Sequence, residues 1–169
     1  MMDINFYLAK FQRTVALLDK GLLAKNEIET ATGVYSDSVF LKLYKRSWAN
    51  PSADPITGES IIFFSVWIND AAIKEQKLLY NIHAFKLRKL KGYTIESRKF
   101  AAAFRDSFKK FAGQWPNASV QFGPLTLMEG FVKINEENLQ KEMIQLAHSF
   151  LTIAYLVDDT LNRFKQTKK

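Results

Sequence analysis

The 169-residue chain has no cysteine, only four prolines and seven glycines, and no apolar run that approaches a membrane span. Without cysteine there is no disulfide framework, no thiolate nucleophile and no thiolate-bound zinc, so three mechanistic classes drop out together. The glycines are isolated and lie mostly at expected turns. The segment GPLTLMEG (123 to 130) lacks the Lys-Ser/Thr pair that closes a phosphate-binding loop, and no Ser stands in a G-x-S-x-G setting. The densest apolar stretch, Phe150 to Val157, is far short of the roughly 20 residues that cross a bilayer. Lys10 and Arg13 interrupt the first apolar stretch, which argues against a signal peptide. The expectation is a soluble, cytoplasmic protein with no cofactor and no bound metal.

Apolar residues make up 47% of the chain and aromatic residues 14%, including 14 Phe, which excludes disorder and implies a core of large rings. A chain of this length is expected to fold as a single globular domain spanning residues 1–169.

Charge is the least evenly distributed property. Lys86 to Ala112 carries nine Lys and Arg residues against Glu96 and Asp106, which accounts for the whole net charge of +7; the other 142 positions are balanced at 15 basic and 15 acidic. Such clustering raises the local concentration of counter-ions and points to an anionic partner. The candidate anion-binding residues are Lys86, Arg88, Lys89, Lys91, Arg98, Arg105 and Lys109, with Tyr93 and Trp115 as stacking surfaces. The alternative is an ordinary solvated helix face, with Lys109 and Lys110 complementing a helix dipole.

Hydrophobic periodicity predicts an α+β fold: a mostly antiparallel sheet of about five strands packed by an N-terminal helix, a basic-faced middle helix and a long C-terminal helix. Asp3 is placed to cap the first helix and Gly21 to end it, while residues 23–34 read as a short helix or a loop. Ser38 to Arg46, Ser60 to Ile68, Leu78 to Ala84, Ala118 to Phe122 and Thr126 to Ile134 read as strands, with Asp54-Pro55 and Thr57-Gly58 turning the chain between the first two. The rival to the third strand is one helix from Ala71 to Lys91, whose apolar positions form no stripe. Ser97 is expected to cap a helix to Phe111 that buries Phe100, Phe104, Phe108 and Phe111 and presents Arg98, Arg105 and Lys109 on its other side.

Asn135 is expected to cap the last helix, which carries two apolar lines. Leu139, Met143, Leu146, Phe150, Ile153, Val157, Leu161 and Phe164 form one, and Ile144, His148, Leu151 and Tyr155 form the other. The second line meets either the N-terminal helix or another copy of the chain, which makes it the candidate homodimer interface. Asp158, Asp159 and Asn162 lack further oxygen ligands for a metal and read as a solvated group paired to Arg163 or Lys165.

With only His83 and His148 available, imidazole chemistry is limited, and His83 is the candidate acid or base because its strand leads into the basic block. Three functions remain open. The first is an interaction domain, homodimeric or not, that takes a polyanion or acidic partner on the basic block. The second is an enzyme or sensor for a small phosphorylated or carboxylated metabolite near His83, and the third is a structural dimerisation protein.

Overall fold

The computed structural model describes residues 1–51, 53–54, 57–59 and 61–167. Five antiparallel strands form one sheet in sequence order: β1 (Glu29–Tyr35), β2 (Ser38–Tyr44), β3 (Ile61–Ile68), β4 (Lys77–Phe85) and β5 (Thr126–Lys133). Among the described residues six α-helices accompany it: α1 (Ile4–Leu17), α2 (Lys20–Lys25), α3 (Asp70–Lys74), α4 (Ser97–Phe108), α5 (Leu139–Ile153) and α6 (Tyr155–Asn162). The fold is α+β, as the periodicity requires.

The alternation of strand side chains sorts the core from a second, more polar face. On β3, Ile62, Phe64, Val66 and Ile68 are fully buried beneath the helices; Phe64 stacks on Phe150 of α5 with ring centroids 4.6 Å apart and planes 9° apart. Packing of α1 on β1 and β2, α5 on β3 and α4 on β5 covers that face of the sheet. Phe63, Ser65 and Trp67 alternate to the other side, and Phe63 and Ser65 are nonetheless buried. The near-continuous apolar run of β3 therefore belongs to a central strand with one face under the helices and the other closed in by neighbouring side chains of the sheet.

Several boundaries differ from the sequence expectation. Gly21 does not end the first helix. The chain leaves helical geometry at Leu18, and Asp19 caps α2 by accepting the Leu22 N–H at 3.0 Å, so Gly21 lies inside α2. Residues 29–35 form a full edge strand rather than a loop, held in register with β2 from Glu29↔Tyr44 to Tyr35↔Ser38. Conversely, Ala118 to Phe122 supplies only the isolated bridge Ser119↔Glu129. The sheet has five strands, but β1 replaces the 118–122 segment as the fifth.

Residues 77–85 are a strand, paired with β3 from Ile61↔Phe85 to Trp67↔Leu79, which settles the strand-or-helix question. The turn placed at Asp54-Pro55 and the strand start at Ser60 fall on Pro55 and Ser60, which lie outside the described residues. Asp3 caps α1 as expected, accepting the Phe6 N–H at 3.1 Å. Ser97 is the first residue of α4 rather than its cap, a position taken by Glu96 without a side-chain bond. Asn135 makes an Asx turn instead of a cap, accepting the N–H groups of Glu137 and Asn138 at 2.9 Å, and α5 starts after Asn138.

The C-terminal helix is divided at Ala154, where a Val157 N–H to Ala154 carbonyl bond of 3.0 Å tightens the turn between α5 and α6. Asp158 on α6 is not a solvated partner of Arg163 or Lys165. Its carboxylate accepts Lys45 Nζ at 2.6 Å and the indole N–H of Trp48 at 2.8 Å, tying α6 to the short 3₁₀ turn after β2. Trp48 is fully buried and meets Phe150 edge-on, so this carboxylate satisfies a core indole that has no access to water.

Candidate functional site

The sheet face away from α5 holds a groove of about 620 Å³ lined by β2, β3, β4 and β5 and by Thr57 and Gly58 of the loop before β3. Its walls are aromatic: Phe40, Phe63, Trp67, Phe85 and the largely exposed Tyr35. Gly33 of β1 admits one of these rings. A Cβ at that position would stand 3.0 Å from the Phe40 ring, which is only 5% exposed, so the absent side chain lets Phe40 lie over the edge strand.

Across the floor runs a single row of polar residues, one per strand. Lys42 of β2 is opposite Ser65 of β3, Ser65 is opposite Asn81 of β4, and Asn81 is opposite Glu129 of β5. Beyond Glu129 the row ends in the isolated bridge to Ser119. Because directly opposed residues project from the same face, the register alone brings these four side chains together.

The row is joined by hydrogen bonds at its centre. Ser65 Oγ donates to Asn81 Oδ1 at 2.5 Å, with both residues buried, and the Asn81 amide donates to the Glu129 carboxylate. At the β2 end the Lys42 ammonium stands over the Phe63 ring at 4.2 Å and the Phe40 ring at 5.0 Å. Burial holds that ammonium below the usual lysine range, and the charge of Asp54 partly restores it. Burial likewise pushes the Glu129 carboxyl up, against the opposing effect of the Asn81 hydrogen bond.

His83 adjoins the row one pair further along β4, opposite Thr126 across a register shift between β4 and β5. Its Nδ1 lies 3.3 Å from the Leu125 carbonyl and 3.3 Å from the Thr126 hydroxyl. A carbonyl only accepts, so the Leu125 contact places the proton on Nδ1 and leaves Nε2 as the acceptor of the neutral ring. The ring stacks on Phe85 with centroids 4.8 Å apart and planes 22° apart, and tilts against Phe63 at 5.4 Å. Burial draws the His83 pKa down, the Leu125 bond works in the other direction, and the charge of Lys42 lowers it further. The groove thus offers a neutral imidazole, a carboxyl and an ammonium within an aromatic enclosure.

The cationic block does not converge on this groove. Lys86 and Lys89 both reach Glu59 at 3.3 Å, and Lys99 pairs with Glu96 at 3.2 Å. Arg88, Lys91, Arg98 and Lys109 are exposed. Arg105 departs from the expected solvent-facing stripe. Its guanidinium donates to the carbonyls of Leu127 (3.1 Å), Phe122 (3.1 Å), Gly123 (3.0 Å) and Thr126 (2.8 Å), holding the strand-like loop before β5 onto α4. Trp115 is also absent from the surface: at 5% exposure it packs on Tyr80 and Phe64 in the core, while Tyr93 is half-buried beside a bridge to Lys165.

Three of the four candidate homodimer residues, Ile144, His148 and Leu151, lie on α5, and Tyr155 lies on α6. Leu151 is 5% exposed within its own chain, Ile144 and His148 are half-buried, and Tyr155 lies exposed on α6 beyond the Ala154 turn, beside Phe111. His148 and His83 stay apart, the first on α5 beside Trp115 and the second in the groove.

Sequence reasoning identified His83 and missed Lys42, Ser65, Asn81 and Glu129. The available signal was a polar residue inside an apolar strand: Ser65 in IIFFSVWI, and Asn81 two residues before His83 in KLLYNIHAF. Among the described residues, no group of three or more His, Asp or Glu side chains is arranged to hold a metal ion, and no helix is long and apolar enough to cross a membrane. Comparison with protein-family models, with curated proteins and with solved structures finds no match for this chain.

Proposed function

We propose that this protein binds a small, largely apolar molecule in the groove on the exposed side of its sheet, with the aromatic walls enclosing the body of the ligand and the polar row meeting its head group. The observation that carries this reading is the Lys42, Ser65, Asn81 and Glu129 row lying across the floor of a 620 Å³ aromatic groove. Its volume falls within the roughly 300–1,000 Å³ of ordinary ligand pockets, which combine apolar walls with a few fixed polar groups. A sheet face that served stability alone would gain more from apolar side chains, because each buried polar group costs desolvation that its hydrogen bond only offsets.

The pre-bonded centre of the row also favours binding. The Ser65 hydroxyl and Asn81 Oδ1 are already satisfied by each other, so an apolar ligand lying above them strands neither of those two atoms. Binding would then draw on the burial of ring surface, at about 25 cal/mol per Å² of apolar area removed from water.

The neutral fluorophore N-phenyl-1-naphthylamine tests the proposal. The wild type should give a saturable rise in fluorescence that weakens at least about tenfold in Phe85→Asp and in Trp67→Ala, with thermal melts reporting that both variants remain folded. No saturable binding, or equal binding by the wild type and both folded variants, would overturn it.

A further inference from the structure

We infer that the β5 end of the groove recognises the protonated amino group of a small amine with an apolar body, held between His83 Nε2 and the Glu129 carboxylate. This inference rests on the ligand-binding reading of the groove and names the chemical class that the site would take.

Among the described residues the polar contacts of His83 are made through Nδ1, which leaves Nε2 as the acceptor of a ring that lines the groove and packs on Phe85 and Phe63. Glu129 is half-buried and accepts a hydrogen bond from the Asn81 amide, and among the described residues no Lys or Arg forms an ion pair with it. A half-buried carboxylate without a cation is an expensive arrangement that a bound cation relieves. Both groups accept hydrogen bonds, so the complementary head is a donor with several protons, and an ammonium group has three.

Placement on the sheet agrees. His83 stands two residues beyond Asn81 on β4, and Asn81 is opposite Glu129, so the two acceptors are diagonal neighbours with backbones about 7–8 Å apart. One small head group fits between their side chains. The neutral state of His83, favoured by burial and by the charge of Lys42, keeps Nε2 an acceptor rather than a competing cation.

Lys42 sets the polarity of the groove. It is three strand spacings from Glu129, about 14 Å at roughly 4.8 Å per spacing. Its ammonium stands 4.2 Å from the Phe63 ring, which is itself 5.4 Å from the His83 ring, so the charge lies within about 10 Å of His83; its repulsion of an ammonium held there is about a third or more of the attraction from a carboxylate 3–4 Å away, and the nearby charge of Asp54 reduces it. The ring faces at the β2 end already hold one ammonium, that of Lys42, which directs a second cation to the carboxylate end.

Three compounds with nearly the same body and different heads test this: 2-phenylethylamine, 2-phenylethanol and 3-phenylpropanoate, each competed against N-phenyl-1-naphthylamine at pH 7. The amine should bind at least about tenfold more tightly than the other two. Glu129→Gln should remove that advantage and bring the amine to the level of the alcohol, each competition being referred to the variant's own affinity for the fluorophore. An alcohol or acid that binds as well as the amine overturns the inference and leaves the groove reading intact. An amine preference that survives Glu129→Gln also overturns it, and failure of the fluorophore itself overturns both readings.

Discussion

The Ser65 hydroxyl donates to the Asn81 side-chain carbonyl at 2.5 Å across the two central strands, and both residues are buried on the face that forms the groove floor. Removing one partner leaves the other stranded, which is costlier than never having had the pair. Ser65→Ala should therefore destabilise the protein by about 1–3 kcal/mol. Asn81→Leu should cost at least as much, because it also withdraws the amide bond to Glu129. The double variant Ser65→Ala/Asn81→Leu should lose less than the sum of the two, since neither stranded atom remains. Urea unfolding of the four proteins measures the difference, and strict additivity would show that the pair does not act as a unit.

Glu129 and His83 give stability a pH dependence of opposite sign. The folded-state pKa of Glu129 is raised above the ordinary 4.5, so the folded protein holds its proton more firmly than the unfolded chain does. That contribution is complete below pH 4.5 and is lost as pH rises through the folded value. The folded-state pKa of His83 is lowered from 6.5, so its contribution is complete above pH 6.5 and is lost as pH falls through the folded value. Glu129→Gln should accordingly melt higher than the wild type by a margin that grows above pH 4.5 and then levels. His83→Gln should lose part of the wild type's decline below pH 6.5. Melting temperatures of the three proteins between pH 4 and pH 9 check both statements.

Strands and helices with long periodic patterns were legible in the sequence, because alternation or a helical stripe of apolar residues reports one buried face. That is why β2, β3, α4 and the packing face of α5 agree with expectation. The edge strand ETATGVY carries few large apolar side chains, since only one neighbouring strand and the rim of the core meet it, and local propensity reads it as a short helix or a loop. Segment 118–122 has the opposite history: its alternation resembles a strand, yet the Arg105 guanidinium takes up carbonyls of the following turn and the loop bridges β5 only at Ser119.

Candidate-site residues were less legible than the fold. The polar row depends on register between strands far apart in sequence, and no local pattern encodes which residues of β2, β3, β4 and β5 stand opposite one another. The charge run from Lys86 to Ala112 was conspicuous, but its members divide among a turn, a helix face and the Arg105 network.

Arg105 and Arg98 should behave differently although both lie on α4. Arg105 donates to four carbonyls, so Arg105→Gln should cost about 2–3 kcal/mol, the scale of a few charge-assisted hydrogen bonds taken together. Arg98 is exposed, and Arg98→Gln should remain within about 0.5 kcal/mol of the wild type. Hydrogen exchange should locate the effect of the Arg105 substitution in residues 118–127. Equal costs at the two positions would show that the carbonyl contacts do not hold that loop.

Gly130 and Tyr80 form a close steric fit between β4 and β5. They are opposed in register, and a Cβ on Gly130 would meet the Tyr80 hydroxyl far inside van der Waals contact while standing 2.9 Å from the Pro116 carbonyl. Tyr80 cannot readily swing aside, because it is fully buried and its hydroxyl donates to that same carbonyl at 2.5 Å. Gly130→Ala should thus destabilise the protein by about 3 kcal/mol, as overpacking in a filled core does. Tyr80→Phe alone should cost about 1 kcal/mol for its lost hydrogen bond. It removes the atom nearest the new methyl group and frees the ring from Pro116, so Tyr80→Phe/Gly130→Ala should be more stable than the summed single effects require. A double-mutant cycle measured by urea unfolding reads this coupling directly, and a coupling of zero would mean that the strain is relieved by strand movement rather than by the tyrosine ring.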